Sequence, residues 1–139
     1  MKNNKTLAII KPVAIKNGYT GAIITKINEA GFRISAMKLT RLTIDKAKEF
    51  YAVHKSRPFF EDLVLFISSG PVIVAILEKE NAVKDYRELI GATNPAKALA
   101  NTIRSLYGTS IQANAVHGSD SDENAETETN FFFSDVERF

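Results

Sequence analysis

Two spacings of apolar residues alternate along this 139-residue chain. Residues 6–11, "TLAIIK", form a short unbroken apolar run stopped by Pro12, which suits a central strand better than a helix. Next, "TGAIITKINEAGF" puts Ile23, Ile24, Ile27 and Ala30 on one helical face, with Gly31 placed to end the helix. Phe32, Ile34 and Ala36 then alternate with Arg33 and Ser35, and the alternation slips at Met37, as a bulge would make it. Thr43 is set to cap a helix carrying Ile44, Ala47, Phe50 and Tyr51. A second helical segment starts near Pro58, with Phe59, Leu63 and Phe66 or Ile67 on its apolar side, and "SSGP" breaks it.

The second half repeats the scheme. "VIVAIL" at 72–77 reads as a buried strand, after which Asn81 is set to cap a helix whose inner face holds Ala82, Tyr86, Leu89 and Ile90, closed by Gly91. Residues 92–110 read mostly as irregular loop or short turns, a length uncommon in a compact domain unless it serves function or an interface. Ile111, Ala113 and Ala115 alternate as a last strand delivering His117 at or just beyond its end. Ser119 or Ser121 then caps an acidic helix start, "SDSDENAE", where negative charge suits the positive end of the helix dipole. Four strands with helices between them predict an α+β fold: a ferredoxin-like sandwich, its four-stranded antiparallel sheet covered by helices.

Composition narrows the class. With 45% hydrophobic and 24% charged residues the chain is an ordinary globular domain, and without repeat or linker it is expected to form a single domain over 1–139. The absence of cysteine excludes disulfides and thiolate metal sites. The apolar run after the basic N-terminal stretch is too short for a signal-peptide core, and nothing approaches a membrane span, so a cytoplasmic protein is expected. A net charge of +2 does not by itself indicate a nucleic-acid partner, although a local group of cations could hold a phosphate.

His117, in "NAVHGSDS", is one of two histidines. Beside a helix start its imidazole could act as a nucleophile or simply bond locally at a strand end. Ser119 is two positions on, and Glu128 is two to three helical turns further, within reach as the orienting group that a working nucleophile needs. Lys11, Arg87 and Arg104 could each be solvated surface, or could together with Thr93 grip a polyphosphate, the two guanidinium groups offering forked donors, and no GxxxxGK[ST] loop is present. In "HKSRPFF", one or both of Phe59 and Phe60 belong to the core; if one is exposed it could stack on a base, and Tyr51 and His54 could face the same cleft. Two histidines 63 positions apart give no metal cage, whereas magnesium arriving with a nucleotide needs few protein ligands.

Six ordered blocks, "TLAIIKP", "HKSRPFF", "SGPV", "GATNP", "NAVHGSDS" and "FFFS", resemble the nucleoside diphosphate kinase family over essentially the whole chain. The resemblance implies a homo-oligomer, tetramer or hexamer, that uses Mg²⁺. It also implies passage of the terminal phosphate of ATP or another nucleoside triphosphate to a nucleoside diphosphate, through a phosphohistidine. It casts His117 as nucleophile, Glu128 and Ser119 as its orienting groups, and Lys11 and Tyr51 beside the transferring phosphoryl group. Arg57, Arg87, Thr93 and Arg104 would bind phosphates; Phe59 would stack on the base with Leu63 and Ile111 nearby, and Asn114 would contact the sugar. Magnesium would be held mainly by phosphates and water, with no dedicated protein ligands. Strict pleating would place Asn114 and His117 on opposite faces, so either the strand ends before His117 or one role is misplaced.

Two other classes make different demands. A nucleic-acid module of the same fold wants a basic, aromatic central strand, and "LAII" and "VIVAIL" are aliphatic. A catalytically silent relative serving assembly or regulation would be expected to lack some of His117, Lys11, Arg87, Arg104 and Glu128, and all are present. Subunit contacts are expected from the 92–110 loop and the "FFFSDVERF" tail, because three consecutive phenylalanines cannot all face inward from one helix.

Overall fold

The computed structural model describes residues 4–139, so Lys2, in the basic stretch ahead of the first apolar run, lies outside the described residues. Strands β1 (Lys5–Ile10), β2 (Arg33–Thr40), β3 (Val72–Glu78) and β4 (Val116–Gly118) form one sheet in the order β2-β3-β1-β4. All three pairings are antiparallel, which is the ferredoxin-like arrangement expected from the sequence. The central strand β1 has no polar side because it is covered on both faces.

Ala8 and Ile10 point toward helices α2 (Thr20–Glu29) and α5 (Ala82–Ile90), packing with Ile23, Ile27, Tyr86 and Ile90. Leu7 and Ile9 point the other way, toward Ala47, Tyr51, Val64, Ile67, Phe132 and Phe133. Those residues come from helices α3 (Ile44–Phe50) and α4 (Phe60–Ile67) and from the end of α7 (Asp122–Phe132). Each fully buried Leu or Ile contributes about 1.5–3 kcal/mol, so the two layers hold the sheet from both sides.

Several local expectations are corrected. Pro12 ends β1 but also opens a short helix, α1 (Pro12–Lys16), because proline at the first helical position gives up a donor that has no intrahelical partner there. The bulge in β2 falls between Ile34 and Ala36, at Ser35 rather than Met37, and the freed Ser35 carbonyl accepts the Phe139 N–H at 2.7 Å. Helix α4 starts at Phe60, two residues after Pro58, leaving Phe59 at its edge. Asn81 precedes α5 in a left-handed conformation, φ 57°, and its side chain makes no capping bond. Thr43 does cap α3, its hydroxyl accepting the Lys46 N–H at 3.1 Å.

The 92–110 segment is more ordered than a loop. It holds a 3-10 turn at Pro95–Lys97 and a helix, α6 (Ile103–Tyr107), capped by the Thr102 hydroxyl, which accepts the Ser105 N–H. Residues 111–115 do not form the last strand. The strand is Val116–Gly118, and His117 is its middle residue rather than a group beyond its end. Among the phenylalanines, Phe132 ends α7 and Phe133 continues in extended conformation, φ −130°, so both are buried while Phe131 is half-buried. Leaving the helix turns the extra ring inward.

Candidate functional site

His117 lies opposite Ile9 in the β1–β4 ladder and therefore shares the face of Leu7 and Ile9, looking toward α3 and α7. Helix α7 begins at Ser121, whose hydroxyl accepts the Asn124 N–H at 3.0 Å; Ser121, not Ser119, is the cap. That start places Glu128 two turns along the helix and over the strand. Glu128 Oε1 lies 2.8 Å from His117 Nε2 and also accepts the Ser119 hydroxyl at 2.8 Å. Ser119 is fully buried, and its Oγ in turn accepts the Leu7 N–H at 3.1 Å. Its hydroxyl hydrogen is thereby directed to the carboxylate.

With a carboxylate facing Nε2, that nitrogen carries the ring hydrogen and Nδ1 keeps the lone pair. The ordering runs from the β1 backbone through Ser119 and Glu128 to the imidazole. Tyr51, at the C-terminal end of α3, is buried in the same layer. Burial, with the Glu128 carboxylate nearby, pushes its phenol well above the ordinary value, so the hydroxyl stays a donor.

Lys11 directly follows β1, at the start of α1, and is only 6% exposed. Its ammonium donates to Asn114 Oδ1 at 2.8 Å, and the Asn114 amide donates to the Thr93 carbonyl at 3.1 Å. Desolvation by burial, reinforced by the positive charge of Arg104, lowers the Lys11 pKa to about 7. Arg104 donates from its two terminal nitrogens to the carbonyls of Gly91 and Val116, each at 3.0 Å, fastening α6 to the end of α5 and to the strand carrying His117. Its own pKa falls to about 10, chiefly through burial, with Tyr86 opposing the shift and Arg87 adding to it.

The pleating conflict between Asn114 and His117 resolves at Ala115. This residue has φ 78°, in the left-handed region, and its carbonyl accepts the Lys11 N–H at 2.9 Å. The backbone reverses its alternation there before β4 begins. Asn114 and His117 thus do not sit in one continuous strand.

Arg87, Thr93 and Arg104 line an open cleft of about 910 Å³ between α5, the 92–102 segment and the start of α7, together with Glu88, Asp120 and Asp122. His117, Lys11, Tyr51 and Asn114 are not among its walls, and neither are Phe59, Leu63 and Ile111. Phe59 is 43% exposed and Ile111 58%, whereas Leu63 and Phe60 are half-buried against the α3–α4 layer. Of the "PFF" pair it is therefore Phe60 that joins the core. Arg57 is exposed in the turn before α4. Among the described residues no group of three His, Cys, Asp or Glu side chains is arranged to hold a metal ion.

Sequence reasoning missed two groups. Phe50 was placed only in a core helix, yet its ring centroid lies 5.3 Å from that of His117. No spacing in the sequence marks Gly118, yet a β-carbon there would lie 2.8 Å from the Tyr86 ring. Helical spacing signals burial on a shared face, but not which ring meets which.

Fold and site together define a class: a small ferredoxin-like α+β protein with an imidazole oriented by a buried serine–glutamate pair and, apart from it, a cleft lined by two arginines. The sequence model described as nucleoside diphosphate kinase matches residues 4–138. The nucleoside diphosphate kinase of Flavobacterium psychrophilum is 57% identical over 139 residues, all of both chains, and that of Campylobacter lari 59% identical over 96% of this chain and 97% of its own. Among solved structures, the Aquifex aeolicus nucleoside diphosphate kinase superposes with a TM-score of 0.96 at 47% identity, covering 98% of this chain and 99% of that one. A halophilic nucleoside diphosphate kinase from Halobacterium salinarum, in complex with CDP, gives a TM-score of 0.94 at 36% identity over 99% of this chain and 91% of its own. The chain belongs to the nucleoside diphosphate kinase family, and it is a phosphotransferase acting between nucleotides.

Proposed function

We propose that His117 carries the phosphate. The observation behind this reading is the Ser119–Glu128–His117 chain, which directs both hydrogens, the Ser119 O–H and the imidazole Nε2–H, to one carboxylate and leaves Nδ1 with its lone pair. In the first half-reaction Nδ1 attacks the γ-phosphorus of a nucleoside triphosphate, the N–P bond forms, and the bond to the β,γ-bridging oxygen breaks with its electrons staying on the departing diphosphate. In the second, a terminal oxygen of another nucleoside diphosphate attacks the same phosphorus and the N–P bond breaks. Glu128 stabilises the positive charge that the ring acquires while phosphorylated. The expected kinetics are ping-pong.

Phosphoryl transfer asks for positioning and charge compensation. Lys11 and Tyr51 stand beside the transferring group, and Arg87, Thr93, Arg104 and Arg57 take the remaining phosphates. Phe59 offers its exposed ring to any base, with Leu63 and Ile111 beside it, which gives affinity without base selectivity. Asn114 spends one amide hydrogen on Thr93 and its oxygen on Lys11, leaving a second amide hydrogen for the sugar.

The donor set of the cleft, in which Lys84, Arg87, Lys97 and Arg104 meet Glu88, Asp120 and Asp122, fits Mg²⁺ delivered by the nucleotide, since that ion keeps phosphate and water ligands and needs few protein groups. When bound, it neutralises charge on the phosphate oxygens. We place the activity in the cytoplasm, in one domain over 1–139 assembled as a tetramer or hexamer. The test is incubation with Mg²⁺ and γ-labelled ATP without acceptor, followed by unlabelled GDP. An acid-labile label on His117 that moves to GTP is the expected result, and a folded protein that takes no label overturns the assignment.

A further inference from the structure

Phe50 occupies an unusual position for a residue that only fills a core. Its ring stands 5.3 Å from the His117 imidazole at 70°, 5.1 Å from Tyr51, 5.6 Å from Phe131 and 5.3 Å from Phe132. Phe131 and Phe132 follow Glu128 by three and four positions on α7, so they project from the same side of the helix as the carboxylate. Phe50 therefore touches the imidazole and also the helix that presents its hydrogen-bond partner.

A hydrogen bond at Nε2 holds one atom of the ring. It does not hold the ring plane, which can still swing about the side-chain bonds while the contact to Glu128 is kept, and the direction of the Nδ1 lone pair swings with it. Attack in line with a leaving oxygen tolerates only about 10–20° of such motion. An edge-to-face neighbour is the restraint that a hydrogen bond lacks, because tilting the imidazole would drive it into the Phe50 ring. The His117 side chain is 18% exposed, so most of the ring is enclosed by neighbours such as Phe50 and Glu128 while a small part stays open to an incoming phosphate.

We propose that Phe50 is a positioning residue for the phosphoryl transfer: it fixes the plane of the His117 imidazole, while Glu128 fixes its tautomer. This rests on His117 being the phosphate carrier. The two act on different variables, so losing the ring leaves nucleotide affinity intact and slows the chemical step.

The experiment compares Phe50→Leu, Phe50→Met and Phe50→Tyr with the unaltered chain in single-turnover labelling from Mg²⁺ and γ-labelled ATP. ³¹P spectra of the phosphoenzyme and thermal melting are recorded alongside. The expected result for Leu or Met is a folded protein, an unchanged nucleotide KM, phosphohistidine formation slowed by about 10- to 100-fold, and the phosphate still on Nδ1 alone, because Glu128 keeps the tautomer. Tyr, which restores a ring, recovers the rate. Methionine refills the gap flexibly and carries the comparison if leucine packs poorly. The inference is overturned if both aliphatic variants label at the unaltered rate, if KM rises in proportion to the loss, or if Tyr gives no recovery. If the unaltered chain takes no label on His117, the reading beneath it fails instead, which the same first lane shows.

Discussion

The Tyr86 ring fills the space beside Gly118: a β-carbon at 118 would lie 2.8 Å from Tyr86 Cδ2, 3.0 Å from Cε2 and 3.2 Å from Ile90 Cδ1. Tyr86 is fully buried, and Gly118 follows His117 in β4 on the face opposite the imidazole. The strand that carries His117 is thus seated against α5 by the absence of a side chain. Gly118→Ala is expected to cost about 1–3 kcal/mol through overpacking and to displace the strand. Denaturant unfolding would read the loss, and a variant as stable and as fast in phosphate exchange as the unaltered chain would show that the helix yields freely.

Glu128→Gln keeps the size of the side chain and removes its charge. The neutral amide cannot stabilise the charged ring, and it can turn its NH₂ toward Nε2 and favour the other tautomer. Phosphohistidine formation is expected to fall by roughly 10²–10⁴-fold, the range seen when an orienting carboxylate is lost. Rapid-quench labelling tests this, and a loss below threefold would remove Glu128 from the orienting role.

Lys11 makes stability depend on pH. Its folded pKa, about 7, is depressed below the unfolded value near 10.5 by burial and then by Arg104. Between those values the unfolded chain binds the extra proton, so this group makes stability rise with pH from about 7 to about 10.5. Below 7 both states are protonated and the cost of burying the cation is felt in full. Lys11→Gln is therefore expected to flatten the rise, which urea titrations at pH 6.5, 8 and 9.5 would show. An unchanged slope would mean that the ammonium is better solvated than its surroundings suggest.

Nucleotide binding adds a second consequence. A bound phosphate favours the charged form of Lys11, so binding near pH 8 should take up protons. Calorimetry in two buffers of different ionisation heat would register the uptake, and equal apparent enthalpies would refute it.

Phe59→Ala should weaken all nucleoside diphosphates alike, by about 1–3 kcal/mol, because stacking is indifferent to the base. Since the ring is 43% exposed, thermal stability should change little. Equilibrium binding of ADP, GDP and CDP measures it; a loss confined to one base would point to hydrogen-bonded selection instead.

Much of the fold was legible because it depends on spacing. The apolar runs around Leu7 and Val74 and the helical faces of Ile23–Ile27 and Tyr86–Ile90 follow from burial periodicity, and Thr43 and Ser121 cap helices through contacts spanning three residues. The last strand was misread because Ala113 and Ala115 alternate as a strand does, while Ala115 adopts φ 78°, a conformation that alanine does not advertise. Its left-handed turn is held by the distant Lys11 N–H. Helix α6 was missed for a related reason: Arg104 anchors it to Gly91 and Val116, partners that no local window contains.

The sequence by itself determined which groups are available for chemistry: one histidine followed by a serine and a glutamate, cations spread from Lys11 to Arg104, and an aliphatic sheet that leaves no aromatic reading surface. Tertiary structure alone decided how they act. Ser119 points its hydrogen at Glu128 only because the Leu7 N–H, 112 positions away, occupies its oxygen. Lys11 has a lowered pKa only because the chain buries it beside Arg104, and Phe50 meets His117 only because α3 and β4 pack in one layer. Orientation and desolvation depend on distances across the fold, and residue order along the chain does not contain them until the chain has closed on itself.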